Sequence, residues 1–199
     1  SSTLPPLKGG VDTGGFKVYA DLHLAYDSLS QVLNRYLAGT RIETEKGPLK
    51  KKYIDVDAAS VLASGGNRLT LKVKVSGSVN GTVYLTGKPV TDAQGWLTVQ
   101  ELDYDIATRN LLLGTAEWML NKKITRKLNE MARFELNAYL QRFQQTMSQA
   151  LNRDWGKGIR STGRVNQFAV AEILPQPGYL FIRLLATGNM QLNLDELSF

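Results

Sequence analysis

Cysteine is absent from this sequence of 199 residues, and histidine occurs once, at His23. Without cysteine the chain has no thiol nucleophile, no disulfide and no thiolate ligand for zinc. His23 lies in "KVYADLHLAY", where Leu22 and Leu24 alternate with polar residues, so it faces away from the apolar side of a predicted strand. We interpret it as a solvent-facing histidine. A hydrolase that used His23 as its base is the alternative.

Long apolar runs and nucleotide or zinc motifs are also absent. No run approaches the 18 apolar residues of a membrane span, and the P-loop, G-x-G-x-x-G and H-E-x-x-H patterns do not occur. Two carboxylate pairs, Asp55 with Asp57 and Asp103 with Asp105, alternate with apolar residues, which is typical of the outer face of a strand. Paired carboxylates could also serve acid–base chemistry or bind a cation. The sequence therefore predicts a non-enzymatic protein without catalytic residues, metal or cofactor.

The charge is unbalanced, with a formal net value of +6 and a pI near 9.5. Such a surplus permits acidic partners, including anionic lipid headgroups and nucleic acid. We predict no nucleic-acid binding, because the aromatic residues do not alternate with basic ones on an exposed face. One lysine cluster flanks a Gly-Pro turn and is interpreted as a solvated hairpin edge (Lys46, Lys50, Lys51, Lys52). The alternative is contact with a membrane surface through Lys50, Lys51 and Lys52.

Short-range patterns predict most of the chain as strands. "GFKVYADLHLAY" alternates like a half-buried strand, and "DSLSQVLNRYLAG" has the apolar spacing of a short helix. Residues 41 to 107 are predicted as an antiparallel meander with glycine-containing turns. Within it we favour one long bent strand kinked at Gly77 and Gly81, with a three-residue hairpin as the alternative. Apolar residues at even positions from 180 to 194 predict a strand of unusual length.

The stretch "AEWMLNKKITRKLNEMARFELNAYLQRFQQTMSQAL" contains neither proline nor glycine. Its apolar residues recur every four positions, which predicts one helix of about 60 Å from about residue 113 to 151. A four-residue step rotates the apolar stripe around the helix, so we expect a highly curved antiparallel sheet to wrap around it. The predicted fold class is α+β, a long helix wrapped by a curved sheet plus one short helix. A coiled coil is the competing interpretation.

The domain organisation follows from the same patterns. Residues 1–15 are predicted as a linker and residues 16–199 as a single elongated α+β domain, part of a longer protein. Helix and strands of this length share an apolar face larger than a compact core requires. A sheet that closes loosely would leave an apolar channel able to hold an acyl chain, and one that closes tightly would make a filled rod or docking surface.

Two segments carry a resemblance to a known family. "GTVYLTGKPVTD" and "LTVQELDYDIATRNLLLGTAEWML", followed by the predicted helix, resemble the bacterial domain of unknown function 4403 family of envelope lipoproteins. The resemblance covers residues 16 to 194 and is to the C-terminal portion of longer members. It implies a periplasmic or outer-membrane-anchored protein of the bacterial envelope, and it carries no activity.

The predicted order of elements is also similar to the tubular lipid-binding (TULIP) superfamily, in which a curved sheet wraps a long helix around a lipid. That resemblance implies a lipid or other hydrophobic small molecule as ligand, held in an apolar groove. The alternative is a structural or protein-interaction module with a filled core, whose protein partner the sequence does not identify. The residues expected to line the groove lie on the sheet, the long helix and the last strand (Leu71, Val73, Val75, Leu128, Leu136, Leu140, Phe143, Ile182, Leu184, Leu192).

Overall fold

A computed structural model of the protein describes residues 9–43, 52–92, 94–120 and 122–194. The described chain is mostly β, with two sheets, four short α-helices and one 3-10 turn, and one sheet curves into a half-barrel. The strands are β1 Gly9–Ala25, β2 Arg41–Glu43, β3 Tyr53–Ser64, β4 Arg68–Gly77, β5 Gly81–Thr91, β6 Trp96–Tyr104, β7 Phe134–Glu135, β8 Arg153–Gly156, β9 Ile159–Gln176 and β10 Tyr179–Leu194. The helices are α1 Tyr26–Leu37, α2 Ile106–Thr115, α3 Lys122–Met131 and α4 Asn137–Leu151, with the 3-10 turn at Glu117–Leu120.

The strands form two sheets, and the residues divide into two compact units. One sheet has six strands in the order β2-β3-β4-β5-β6-β7, and the other has four in the order β1-β10-β9-β8. Unit 1 contains the described parts of Ser1–Leu22, Asn137–Glu172 and Arg183–Phe199. Unit 2 contains those of His23–Leu136 and Ile173–Ile182. The single domain and the linker predicted from the sequence stay predictions.

Unit 2 is built on the antiparallel meander that the alternating sequence predicts. Alternate side chains of β4 are buried from Leu69 to Val75, and the middle two, Leu71 and Val73, lie opposite Leu85 and Val83 of β5. Helix α1 covers this face. Its Asn34 side chain donates to the carbonyl oxygen of Ala59 at 2.7 Å and accepts from the amide of Ala59 at 2.7 Å. The helix is thus joined to β3 by hydrogen bonds between the Asn34 side chain and the β3 backbone, as well as by apolar contact.

The long bent strand that we favoured between residues 69 and 85 is wrong, and the hairpin alternative is confirmed. Strands β4 and β5 are antiparallel neighbours, with Val75 opposite Gly81. Gly77 has a φ of +112°, which a residue with a side chain rarely adopts, and the Asn80 side chain accepts from its amide at 3.1 Å. The turn therefore depends on glycine and asparagine chemistry, which a count of apolar positions does not register.

The predicted fold class is wrong, because the long helix and its wrapping sheet do not form. The segment from 106 to 151 contains α2, the 3-10 turn, α3, β7 and α4, and its longest helix, α4, has 15 residues. Phe134 pairs with Leu97 and Glu135 with Trp96, and the amide of Leu136 donates to the carbonyl oxygen of Gly95 at 3.1 Å. Leu136 is fully buried. Pairing with β6 and burial of Leu136 override a helical propensity that no proline or glycine opposed.

The helical segment is also interrupted at its start. Helix α2 begins at Ile106, where the Asp105 carboxylate accepts from the amide of Thr108 at 2.7 Å. Asp105 is thus a helix cap rather than the second member of an outer-strand pair. In the 3-10 turn, the carbonyl oxygen of Met119 accepts from the buried hydroxyl of Tyr104 at 3.0 Å. Burial raises the pKa of the Tyr104 phenol, so this hydroxyl keeps its proton and remains a donor.

Other charged and polar predictions can be placed directly. His23 is exposed, as predicted, and its ring lies 4.8 Å from that of Tyr179. Asp55 binds Arg41 across the β2–β3 pair at 2.7 Å, and this hydrogen bond lowers the pKa of the Asp55 carboxyl. Asp57 is exposed and accepts from the hydroxyl of Ser76 at 2.7 Å. These contacts are those of a solvated sheet face.

Unit 1 contains α4 and most of the four-stranded sheet. The long final strand predicted from 180 to 194 is confirmed as β10. On β10, Arg183 binds Asp21 of β1 through two hydrogen bonds of 2.8 and 3.1 Å and approaches Glu172 of β9 at 3.6 Å. The hydrogen bond to Asp21 is the largest cause of the raised pKa of Arg183. One guanidinium therefore ties three adjacent strands together.

Candidate functional site

The residues predicted to line an apolar groove fall into two groups with different burial. Seven are buried, six of them in unit 2 and Leu184 in unit 1 (Leu71, Val73, Val75, Leu128, Leu136, Ile182, Leu184). Three are only half-buried and belong to unit 1 (Leu140, Phe143, Leu192). The residues of the first group are packed within their own units, and those of the second are partly accessible.

The core of unit 2 contains a small hollow between α1, the sheet and residues 132–134. Its free volume is about 40 Å³, and Leu29, Leu71 and Phe134 are among the side chains that line it. Arg133 also borders the hollow, and its guanidinium stacks on Trp96 at 4.6 Å. One water needs roughly 10–15 Å³ by this measure, whereas sites for small molecules are commonly hundreds of Å³. The hollow could take a few water-sized groups, which is far less than an acyl chain.

Apolar side chains along one side of α4 form the more accessible surface. Leu140, Phe143, Met147 and Leu151 follow at spacings of three, four and four residues, so they lie on one side of the helix. Leu151 is buried, but the other three are only half-buried. Arg142 is the single charged residue of α4 and is exposed. The helix therefore presents an incompletely covered apolar stripe beside one cation.

Strand β9 lies against this stripe and fixes the last turn of α4. The Asn152 side chain donates to the carbonyl oxygen of Gly163 at 3.0 Å and accepts from its amide at 3.1 Å. A Cβ atom on Gly163 would lie 3.0 Å from the Cβ of Leu151, so glycine allows this close approach. Farther along the strand, the rings of Phe168 and Phe143 lie 4.9 Å apart and tilted by 59°. Two points of contact thus hold α4 along β9.

The burial pattern of β9 changes between these two contacts. Asn166 and Gln167 are both exposed, so the alternation shifts by one residue, and the half-buried side continues at Phe168 and Val170. The two points differ because the Gly163 end is closed by hydrogen bonds and buried Leu151, whereas the Phe143 end is half-open. We define the α4–β9 crevice as the surface of Leu140, Phe143 and Met147 with Phe168 of β9.

The chemistry of the crevice is that of binding rather than reaction. Its four side chains are apolar, and the nearest charge along the chain is the guanidinium of Arg142. Among the residues that the structure describes, no three His, Asp or Glu side chains are close enough to hold a metal ion. The arrangement can cover a hydrocarbon chain by dispersion and the hydrophobic effect, with a cation available for an acidic end group.

Two of the four crevice residues, Leu140 and Phe143, are among the groove residues predicted from the sequence. Phe168 and the Asn152–Gly163 contact are not, because no element was predicted for the segment "NRDWGKGIRSTGRVNQFAV". The β-branched and aromatic residues around Phe168 were the available signal, interrupted by two polar residues where the alternation shifts. Nothing in the sequence links Asn152 to Gly163, since that hydrogen-bonded pair forms only where the end of α4 meets β9 in the folded chain.

Comparison with known proteins gives one match. The sequence model of a protein family described as "Domain of unknown function (DUF4403)" matches residues 1–194. The chain belongs to this family. The DUF4403 description carries no activity, and neither a curated protein nor a solved structure matches the chain. None of the described helices of this DUF4403 chain has both the length and the apolar character required to cross a membrane.

Proposed function

We propose that this DUF4403 domain binds a lipid or another hydrophobic small molecule, without catalysis, in the α4–β9 crevice. The observation that carries the proposal is the half-buried stripe of Leu140, Phe143 and Met147, whose central ring, that of Phe143, lies 4.9 Å from the ring of Phe168. Of the other eight predicted groove residues, seven are buried and Leu192 is half-buried. Apolar side chains held half-open against a strand favour an apolar occupant, because covering them removes hydrocarbon from water. The bacterial envelope, in the periplasm or at the outer membrane, is the proposed location.

Acyl chains with an acidic end are the ligand class that fits this surface best. The stripe from Leu140 to Met147 rises about 10 Å along the helix, which matches the length of a short run of methylene groups. Arg142 adds a cation on the same helix, and α4 contains no acidic residue. A fatty acid or an anionic phospholipid would satisfy both features.

Solvent extraction of the purified protein is the first test. The domain is purified from bacterial cells under native conditions, extracted with organic solvent and analysed by mass spectrometry. We expect fatty acid or phospholipid in an amount close to that of the protein. A lipid-free extract from folded protein would contradict the proposal and favour the second candidate below.

Tryptophan substitutions locate the ligand. Phe143→Trp enlarges a half-buried side chain of the crevice. We expect this variant to stay folded and to contain at least tenfold less copurified lipid than the unchanged domain. Gln145→Trp, on an exposed position of the same helix, is the matched control and should keep its lipid. Leu136→Trp in the filled core should instead lower stability by about 1–3 kcal/mol through overpacking. Lipid retained by Phe143→Trp would place the ligand elsewhere.

A structural or protein-interaction module of the envelope is the second candidate. The packing of unit 2 favours it, since side chains such as Leu71, Val73 and Leu128 are buried and the hollow beside Leu71 has a free volume of only about 40 Å³. In that case the half-open crevice would be covered by a protein segment. Folded protein that contains no lipid and does not take up added fatty acid would support this candidate.

A further inference from the structure

Helix α2 exposes more large apolar surface than a short solvated helix normally does. The exposed fractions are 81% for Ile106, 61% for Leu111 and 54% for Leu113. Thr108 and Leu112, on the opposite side of the helix, are buried. Single exposed apolar residues are ordinary, but Ile106 and Leu113 lie two turns apart on one side of α2, with Leu111 toward its flank. Exposed apolar residues on one side of a helix are of the kind that marks an interaction site.

The patch is held in place by hydrogen bonds. The amide of Asp105 donates to the carbonyl oxygen of Tyr84 at 2.9 Å, and the amide of Tyr84 donates to the hydroxyl of Thr108 at 3.2 Å. The Asp105 carboxylate caps the helix at Thr108. Helix α2 is therefore anchored to β5 through its buried side. The same hydrogen bonds hold its exposed apolar residues toward solvent.

A 3-10 turn with an aromatic ring contacts this helix, and cations lie beside the turn and follow it along the chain. The 3-10 turn packs against α2 and carries Trp118, whose ring has the ammonium group of Lys52 at 5.8 Å. Helix α3 then begins with Lys122 and Lys123, both exposed. Glu117 is the acidic residue of the turn. Arg109, on α2 itself, binds Asp103 at 3.0 Å. With Asp105 at the start of α2 included, four cations (Lys52, Arg109, Lys122, Lys123) stand against three carboxylates (Asp103, Asp105, Glu117), so the surroundings carry a net charge of +1.

We propose that α2 and the 3-10 turn dock unit 2 on the surface of a bilayer that contains anionic phospholipid. Ile106, Leu111 and Leu113 enter the boundary between headgroups and acyl chains, and Lys52 and Lys122 contact lipid phosphates. Apolar residues beside lysines, with a tryptophan at the margin, are the features of segments that lie in the membrane interface. The inference does not rest on the α4–β9 crevice and stands if that crevice binds nothing.

The lysines beside this patch favour a membrane rather than a protein as its partner. Lysine is depleted at protein–protein interfaces, where desolvating an ammonium group is costly. At a membrane, lysine stays hydrated among the phosphates and is attracted by the negative surface potential. Lys50, Lys51 and Lys52 are the residues for which the sequence offers a membrane surface as the alternative to a solvated hairpin edge. Lys52 lies beside Trp118, and the other two lie outside the described residues.

Cosedimentation with vesicles tests the proposal. The full chain is mixed with vesicles of phosphatidylcholine and phosphatidylglycerol at 3:1, or of phosphatidylcholine alone, and the partition coefficient is measured. We expect binding to the 3:1 vesicles that weakens at high salt. Ile106→Ser with Leu113→Ser should lower the partition coefficient at least tenfold. Lys52→Gln with Lys122→Gln should lower it about fivefold per lysine removed, on the 3:1 vesicles only.

Tyr36→Ser removes an exposed aromatic residue of α1 and is the matched control, expected to bind vesicles like the unchanged chain. Circular dichroism of every variant checks that folding is intact, which exposed positions should allow. Failure of the unchanged chain to bind 3:1 vesicles would overturn the proposal, as would wild-type binding by the Ile106 and Leu113 variant. If the chain is instead a dimer in solution without vesicles and that variant is a monomer, a second copy covers the patch and the proposal is wrong.

Discussion

At the scale of single residues, Tyr104 joins the end of β6 to the 3-10 turn. Its hydroxyl is buried and donates to the carbonyl oxygen of Met119, which is itself fully buried. We expect Tyr104→Phe to destabilise the protein by about 1–3 kcal/mol, because the carbonyl oxygen loses its partner away from water. Chemical denaturation measures the change. Tyr36→Phe, on an exposed side chain, should stay within about 0.5 kcal/mol, and an equal effect of both variants would contradict the role of Tyr104.

The sequence patterns predicted which residues are buried or exposed better than they predicted hydrogen-bond partners. The exposed position of His23 and the burial of alternate residues on β4 follow directly from period-two alternation. Asp105 shows the limit, because alternation assigns it to a strand face while its carboxylate caps α2. A capping aspartate and an outer-strand aspartate look alike until the start of the helix is known.

At the scale of elements, α1 is attached to β3 by the Asn34 side chain. We expect Asn34→Ala to lower stability by about 1–3 kcal/mol, because the amide and carbonyl groups of Ala59 lose a paired side-chain donor and acceptor. Equilibrium urea unfolding checks this. Gln31→Ala, exposed on the same helix, is the matched control and should be nearly neutral. If Asn34→Ala were neutral as well, apolar contact and the hydrogen bond from the Val61 amide to the Ser30 hydroxyl would suffice to hold the helix.

The elements also show why the helical prediction failed. Between Met131 and Asn137 the sequence has no breaker, and its four-residue apolar steps suit a helix. The edge of β6 supplies a competing partner for Phe134 and Glu135, and burial of Leu136 adds to it. Strand pairing with a distant residue is invisible to local propensity. By contrast, α1 and β10 were predictable because their apolar spacing and their tertiary environment agree.

At the scale of the whole molecule, family membership was predictable and architecture was not. The segments "GTVYLTGKPVTD" and "AEWML" sufficed to indicate the DUF4403 family, and a family model covers residues 1–194. The expected wrapping sheet depended on one unbroken helix, so a single wrong element changed the fold class. Of the expected groove, only Leu140, Phe143 and Leu192 remain half-buried, because the other positions pack against side chains within the described structure.

The stability of the whole chain offers a ligand test that requires no copurified lipid. A ligand that binds only the folded state raises stability by about 2.7 kcal/mol when its free concentration is 100 times its Kd. For a chain of 199 residues this corresponds to a rise in Tm of roughly 5–10 °C.

We therefore expect palmitate, added to delipidated protein below its micelle concentration, to raise Tm by several degrees in a concentration-dependent manner. Phe143→Trp should abolish the rise and Gln145→Trp should preserve it, because Phe143 lies against Phe168 in the crevice whereas Gln145 is exposed. An unchanged Tm at all palmitate concentrations would exclude a fatty acid as the ligand, and a rise preserved in Phe143→Trp would show that the fatty acid binds outside the α4–β9 crevice.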